Sequence, residues 1–183
     1  MDIGYRNCAL AQYDGDTLTM FHIDLMKKPT YAECYAFAEN FCTTNTKLLM
    51  SIKQFALEDQ RRSLVVFKNI QEAFLVTLAK LYPTLPVYVV SPRTTRAYFN
   101  ISVAKAPGKG SYIKRKQLSI KKLTEIMPPE RLRAAQRIFP KLDDIADAAL
   151  LAIYVHKNGI KKRRASLKKV PRVLQLSFHP VLN

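Results

Sequence analysis

Three observations predict a single α/β domain: an early pair of β-type segments joined by a tight turn, a later alternation of helical and strand patterns, and 48% hydrophobic residues in a chain of 183, enough for one substantial core. Asn7 to Tyr13 mixes apolar and polar residues, Asp14-Gly15-Asp16 supplies a turn, and Leu18 to Leu25 resumes the apolar pattern, which together signal a hairpin. From Tyr31 to about Cys42 the aromatic, Ala and Glu residues suit a helix, with Pro29 upstream and Thr30 as its N-cap. Gln54 to Glu58 reads as a short buried strand that ends in a carboxylate. Lys68 to Tyr82 carries Ile70, Ala73, Phe74, Thr77, Leu78 and Leu81 at helical spacing, and Pro83 ends the pattern. Leu85 to Val90 is rich in β-branched residues and reads as a central strand. A polar stretch from Ser91 to Gly110 reads as a loop, and helical patterns follow over Lys114 to Met127, Pro129 to Phe139 and Asp143 to about His156.

The charge balance points to a polyanionic partner. Thirty Lys and Arg against fourteen Asp and Glu give a formal net charge of +16. No apolar run approaches the roughly 18 residues a spanning helix needs, and no secretory signal opens the sequence, so nucleic acid is favoured over a membrane. Three cysteines, Cys8, Cys34 and Cys42, lack CxxC spacing and are expected to be reduced thiols of an intracellular compartment. His22, His156 and His179 are scattered and receive no role. Beyond the last helix the composition changes: Lys157, Lys161, Lys162, Arg163, Arg164, Lys168, Lys169 and Arg172 occur with no acid among them. Residues 1–157 are therefore expected to form the domain, and 158–183 a basic C-terminal extension.

Most acids are solvated surface groups, and the informative ones stand in apolar settings. Asp144 and Asp147 are three apart in a helix that is otherwise almost wholly apolar, so they share one face. Asp143 is expected to cap that helix, and Asp144 suits its first turn. Asp147 has no such explanation, because an unpaired carboxylate among buried aliphatic residues costs on the order of several kcal/mol. Glu58 poses the same question at its strand end, where its neighbour Asp59 points to the opposite face. Asp2, in Asp2-Ile3-Gly4 at the first strand, completes the set, with Gly4 allowing close approach of a phosphate or backbone. Clustered carboxylates hold hard Mg²⁺ or Mn²⁺ ions, and two such ions can activate water and stabilise a leaving oxygen in phosphodiester hydrolysis.

Asp2-Ile3-Gly4 with Asn7, Leu57-Glu58-Asp59-Gln60 and Asp144-Ile145-Ala146-Asp147-Ala148 resemble, in order, the acidic motifs of RuvC-type Holliday junction resolvases, most closely the poxvirus branch. The resemblance runs nearly to His156 and implies a ribonuclease-H-like α/β fold: a mixed five-stranded sheet flanked by helices. It implies a metal-dependent endonuclease that resolves four-way and branched DNA by paired symmetric nicks. Asp2, Glu58, Asp144 and Asp147 would hold two Mg²⁺ ions per site, with Mn²⁺ also supporting activity, and the enzyme would be a homodimer. The family also uses a lysine near the start of the helix after the fifth strand. Lys114-Arg115-Lys116 occupies that place, with Lys116 favoured over Lys114 for neutralising charge on the scissile phosphate. In the family several residues precede the first-strand Asp, whereas only Met1 precedes Asp2 here. Such an enzyme would act in the host cytoplasm if poxvirus-like, otherwise in a nucleus or mitochondrion.

Arg93, Arg96, Lys105, Lys109, Lys114 and Arg115, beside Tyr98 and Tyr112, suit phosphate contact with some stacking. Lys161, Lys162, Arg163 and Arg164 extend the cationic surface into the tail. Two other readings remain open: a related nuclease acting on RNA:DNA hybrid or transposon ends, and a non-catalytic basic DNA-binding protein. Clustered acids argue against the last, since they repel phosphates unless metal neutralises them.

Overall fold

The computed structural model describes residues 1–3, 7–24, 29–60, 64–101, 109–138 and 142–158, with Asp2, Asn7, residues 21–24, Lys109 and Ile138 placed by backbone alone. The chain folds as a mixed α/β protein. Strands β1 (Asp2–Ile3), β2 (Asn7–Tyr13) and β3 (Leu18–Asp24) form one antiparallel ladder in that order; β4 (Phe55–Glu58) and β5 (Val87–Val90) pair parallel in a second. The expected single five-stranded sheet is not seen; the strands form two separate ladders. Backbone bonds link them at Met1, whose nitrogen donates to Ala56 O at 2.7 Å and whose carbonyl accepts from Glu58 N at 3.0 Å. Two bonds that straddle Leu57 in this way have the pattern of a parallel bridge.

The hairpin β2–β3 forms where its turn chemistry predicts. Asp14 Oδ1 accepts from the backbone N–H of Asp16 and Thr17 at 3.0 and 2.8 Å, and Gly15 takes φ +121°, which a side chain would strain. Helix α1 (Tyr31–Thr44) starts at Thr30 with a capping box to Glu33. A short helix α2 (Thr46–Ser51) leads to β4, then α3 (Val65–Leu81) returns to β5. Helix α4 (Pro92–Tyr98) lies within the stretch expected to be loop, capped by Ser91 with Pro92 in its first turn. Helices α5 (Lys109–Ile126), α6 (Pro129–Ile138) and α7 (Leu142–Asn158) complete the described chain. Residues 159–183, with the tail cations, lie outside it, as does Lys105.

Period-2 alternation in the strands sets what faces each side. Cys8, Leu10, Phe55 and Leu57 join the core built by α1 and α3, where Phe37 and Phe41 meet Phe74 edge-on at 5.8 and 5.4 Å. The intervening residues Ala9, Ala11 and Ala56 face α7. Small side chains on both partners, Ala9 and Ala11 against Ala146, Ala148 and Ala149, leave room for α7 to lie close on β2, and α5 then packs on α7. All three cysteines are buried and outside any disulfide; burial pushes Cys34 up and Cys42 to about 11. No helix among the described residues is long and apolar enough to cross a membrane.

Candidate active site

Two elements carry the half-buried acids. Glu58 is the last residue of β4, on the side of the strand that Ala56 presents to α7. Asp59 turns the other way as the alternation requires: it is exposed and pairs with Lys68 at 3.5 Å. Asp144 and Asp147 sit one helical turn apart at the start of α7, with Ile145, Ala146 and Ala148 buried between and beside them. Packing of α7 against β4 brings Asp147 towards Glu58. Asp2, on β1 opposite Ala9, falls beside Glu58 when the Met1–Leu57 bridge is carried one residue on.

Burial raises both carboxyl groups. Glu58 is pushed up to about 7, first by desolvation and then by the negative charge of Asp147, against the opposing pull of Arg96 and the N-terminus. Asp147 is also raised by desolvation, although a hydrogen bond from Ser119 and the charges of Lys116 and Arg96 act in the opposite direction. Two carboxylates withdrawn from water and near each other make a place where a cation is favoured.

The second cluster already holds a cation. Lys116, on α5, donates to the Asp143 carboxylate and to Asp144 Oδ1 at 3.1 Å. Desolvation alone would lower its pKa, yet hydrogen bonds with Tyr112 and Asp144 outweigh it and the net shift is upward. Its ammonium also lies 5.1 Å from the Tyr112 ring centroid, within cation–π reach. This corrects the expected role of Asp143. The helix begins at Leu142, so Asp143 lies inside the first turn and holds Lys116 rather than capping.

The donor chemistry, carboxylate oxygen alone, fits a hard divalent cation. Among the described residues no group of three or more His, Cys, Asp or Glu side chains converges as a metal site. Glu58 and Asp147 are the described pair, Asp144 is engaged by Lys116, and Asp2 is placed by its backbone only.

The cations expected to contact DNA are distributed unevenly. Arg93 and Lys114 are exposed on α4 and α5. Arg96 is half-buried and acts electrostatically on both Glu58 and Asp147, so it belongs to the carboxylate site as much as to the surface. Arg115 is also half-buried, folding back to donate to Ser111 Oγ at 3.4 Å. Lys109 opens α5. Ser119, 2% exposed and bonded to Asp147, was missed in the sequence; its spacing of three from Lys116 is the signal, since both residues then share the face of α5 that meets α7.

No protein-family model matches the chain, and no curated protein matches it in sequence. Among solved structures, a Thermus thermophilus RuvC structure aligns at 14% identity with a TM-score of 0.47, covering 86% of this chain and 93% of that one.

Proposed function

We propose that the protein is a metal-dependent nuclease of ribonuclease-H-like fold that cuts branched DNA, four-way junctions above all. The observation that carries this reading is the half-buried pair Glu58 and Asp147, from β4 and α7, both raised by desolvation and in no salt bridge among the described residues, beside a lysine that already has two acids. The fold reading draws support from the strand order β3-β2-β1-β4-β5 that results when the Met1 bonds join the two ladders, with helices on both faces.

Glu58 and Asp147, with Asp2 and Asp144 alongside, would hold Mg²⁺ or Mn²⁺, which supplies an activated water and charge stabilisation at the phosphate. Ser119 orients the Asp147 carboxylate, and Arg96 limits the repulsion between the two acids. Lys116, held at the rim by Asp143 and Asp144, is placed to answer negative charge developing on a phosphate brought to the carboxylates. Exposed Arg93 and Lys114 supply backbone contacts that fix a polyanion without reading its sequence. Two copies related by a two-fold axis would match the paired strands of a junction.

Labelled four-way junction, linear duplex and RNA:DNA hybrid incubated with the protein in Mg²⁺, Mn²⁺ or EDTA test this directly. Paired nicks in the junction that vanish in EDTA are expected. Preferential cutting of the hybrid would move the assignment to another substrate, and binding without metal-dependent cutting of any of them would overturn it.

A further inference from the structure

Gln71 lies in the middle of α3 with no exposed surface, beside Ile70, Ala73 and Phe74. A buried amide is destabilising by about 1–3 kcal/mol for each polar atom left unbonded, so its presence in an apolar helix face calls for a reason. Its Oε1 accepts two hydrogen bonds, from the backbone N–H of Gln60 at 3.2 Å and from Lys68 Nζ at 2.9 Å. Lys68 reaches on to Asp59 at 3.5 Å. Gln60, itself only 9% exposed, bonds through Nε2 to Glu58 O at 3.4 Å.

Three consecutive residues at the end of β4 are therefore held from three different elements. Glu58 N donates to Met1 O at 3.0 Å, Asp59 N to Val90 O at 2.8 Å, and Gln60 N to Gln71. The first two are strand pairing. The third is made by a side chain on a helix, at the point where the chain leaves the sheet and pairing stops. Core packing does not demand it: a leucine has a similar volume, and Gln71 Nε2 has no partner among the described residues.

We propose that Gln71 is a positioning residue: by holding the Gln60 N–H it fixes the exit of β4, and with it the direction from which the Glu58 carboxylate enters the metal site. The inference rests on the nuclease reading for its functional consequence and on the hydrogen bonds for its structural one, so the two are tested separately. The probes are Gln71→Leu, which deletes the acceptor at similar volume, and Gln71→Glu, which keeps an acceptor oxygen beside Lys68.

Amide hydrogen exchange in the metal-free protein reads the strand end; Mn²⁺ titration and junction cleavage read the site. Gln71→Leu is expected to speed exchange at Gln60 while protection elsewhere in β4 and α3 holds. It should also weaken Mn²⁺ binding by about tenfold or more, the usual range for a residue that supports a metal ligand. Turnover should fall in step while the KM for junction stays within about twofold, because DNA affinity rests on the cations. Gln71→Glu is expected to restore exchange protection and most of the Mn²⁺ affinity. Should Gln71→Leu fail to fold, Gln71→Met, flexible and without an oxygen, makes the same comparison. Wild-type exchange at Gln60 together with wild-type Mn²⁺ affinity in the leucine variant overturns the inference. A wild-type protein that neither binds Mn²⁺ nor cuts junction sinks the nuclease reading instead, and the Gln60 exchange rates still decide whether Gln71 holds the strand end.

Discussion

The two acidic clusters at the start of α7 lie within one helical turn, yet they are electrostatic opposites. Asp143 and Asp144 share the ammonium of Lys116, so that cluster carries its own counter-charge. Glu58 and Asp147 are both raised first by desolvation, Glu58 also by the charge of Asp147 and Asp147 by that of Asp144, while Arg96 on both, Lys116 and Ser119 on Asp147 and the N-terminus on Glu58 oppose the rise. An acid pair that shares an internal lysine is held as a clamp on that lysine. An acid pair that the fold half-buries with no salt bridge among the described residues is relieved by taking up protons or a cation, and that difference separates Glu58 and Asp147 from the acids that hold Lys116.

The sharpest way to break the contrast is Asp147→Asn, which keeps the side chain's size and removes the charge that would hold metal. Cutting is expected to fall by roughly a thousandfold or more, with junction affinity unchanged or slightly improved. A folded variant that cuts at the wild-type rate removes the metal site from the argument.

Lys116→Ala tests the other cluster. Turnover at saturating junction should drop by on the order of a hundredfold, more than binding weakens, because the lysine's proposed work is at the transition state. An equal loss in affinity with turnover intact would make it an ordinary phosphate contact.

Glu58→Gln sharpens the comparison through stability. With its pKa raised from 4.5 to about 7, Glu58 binds more proton in the folded than in the unfolded chain across that interval, so the metal-free protein loses stability as pH rises from about 4.5 to 7. The neutral amide does not titrate. At pH 8 in EDTA the variant should therefore unfold later than the wild type, by an amount on the order of 3 kcal/mol, and the gap should close at pH 4. Millimolar Mg²⁺ should stabilise the wild type more than the variant. Calorimetry at the two pH values, with and without metal, reads all of this.

The smallest effect is expected for Asp143→Asn. It leaves Lys116 with Asp144 as its charged partner, and a partly exposed pair of this kind contributes little, so turnover should stay within about fivefold of wild type. A collapse of activity matching that of Lys116→Ala would show that both acids are needed to aim the lysine.

Much of this architecture is legible in the residues, for reasons that differ by element. The hairpin declares itself through Asp14 and Gly15, and α1 through Thr30 and Glu33, because turns and caps are local chemistry. Glu58 and Asp147 stand out because each is a charge in an apolar setting. Helix α4 has the polar composition of a loop, although Ser91-Pro92 is a helix-start signal. Helix α2, six residues long, is too short to show a period. The hold of Asp143 on Lys116, and the reach of Arg96 towards the carboxylates, arise only when α5, α4 and α7 pack, and no spacing along the chain encodes them.

The buried state of all three thiols has a practical side. A thiol that is both inaccessible and shifted upward presents almost no thiolate at neutral pH, so Cys34 and Cys42 should be inert to maleimides, and Cys8 is buried as well. A cysteine introduced at an exposed helical position such as Lys121 would then be the one reactive thiol among the described residues. The native protein thus offers a silent background for a fluorophore or spin label, with no cysteine to remove before distances to a bound nucleic acid are measured.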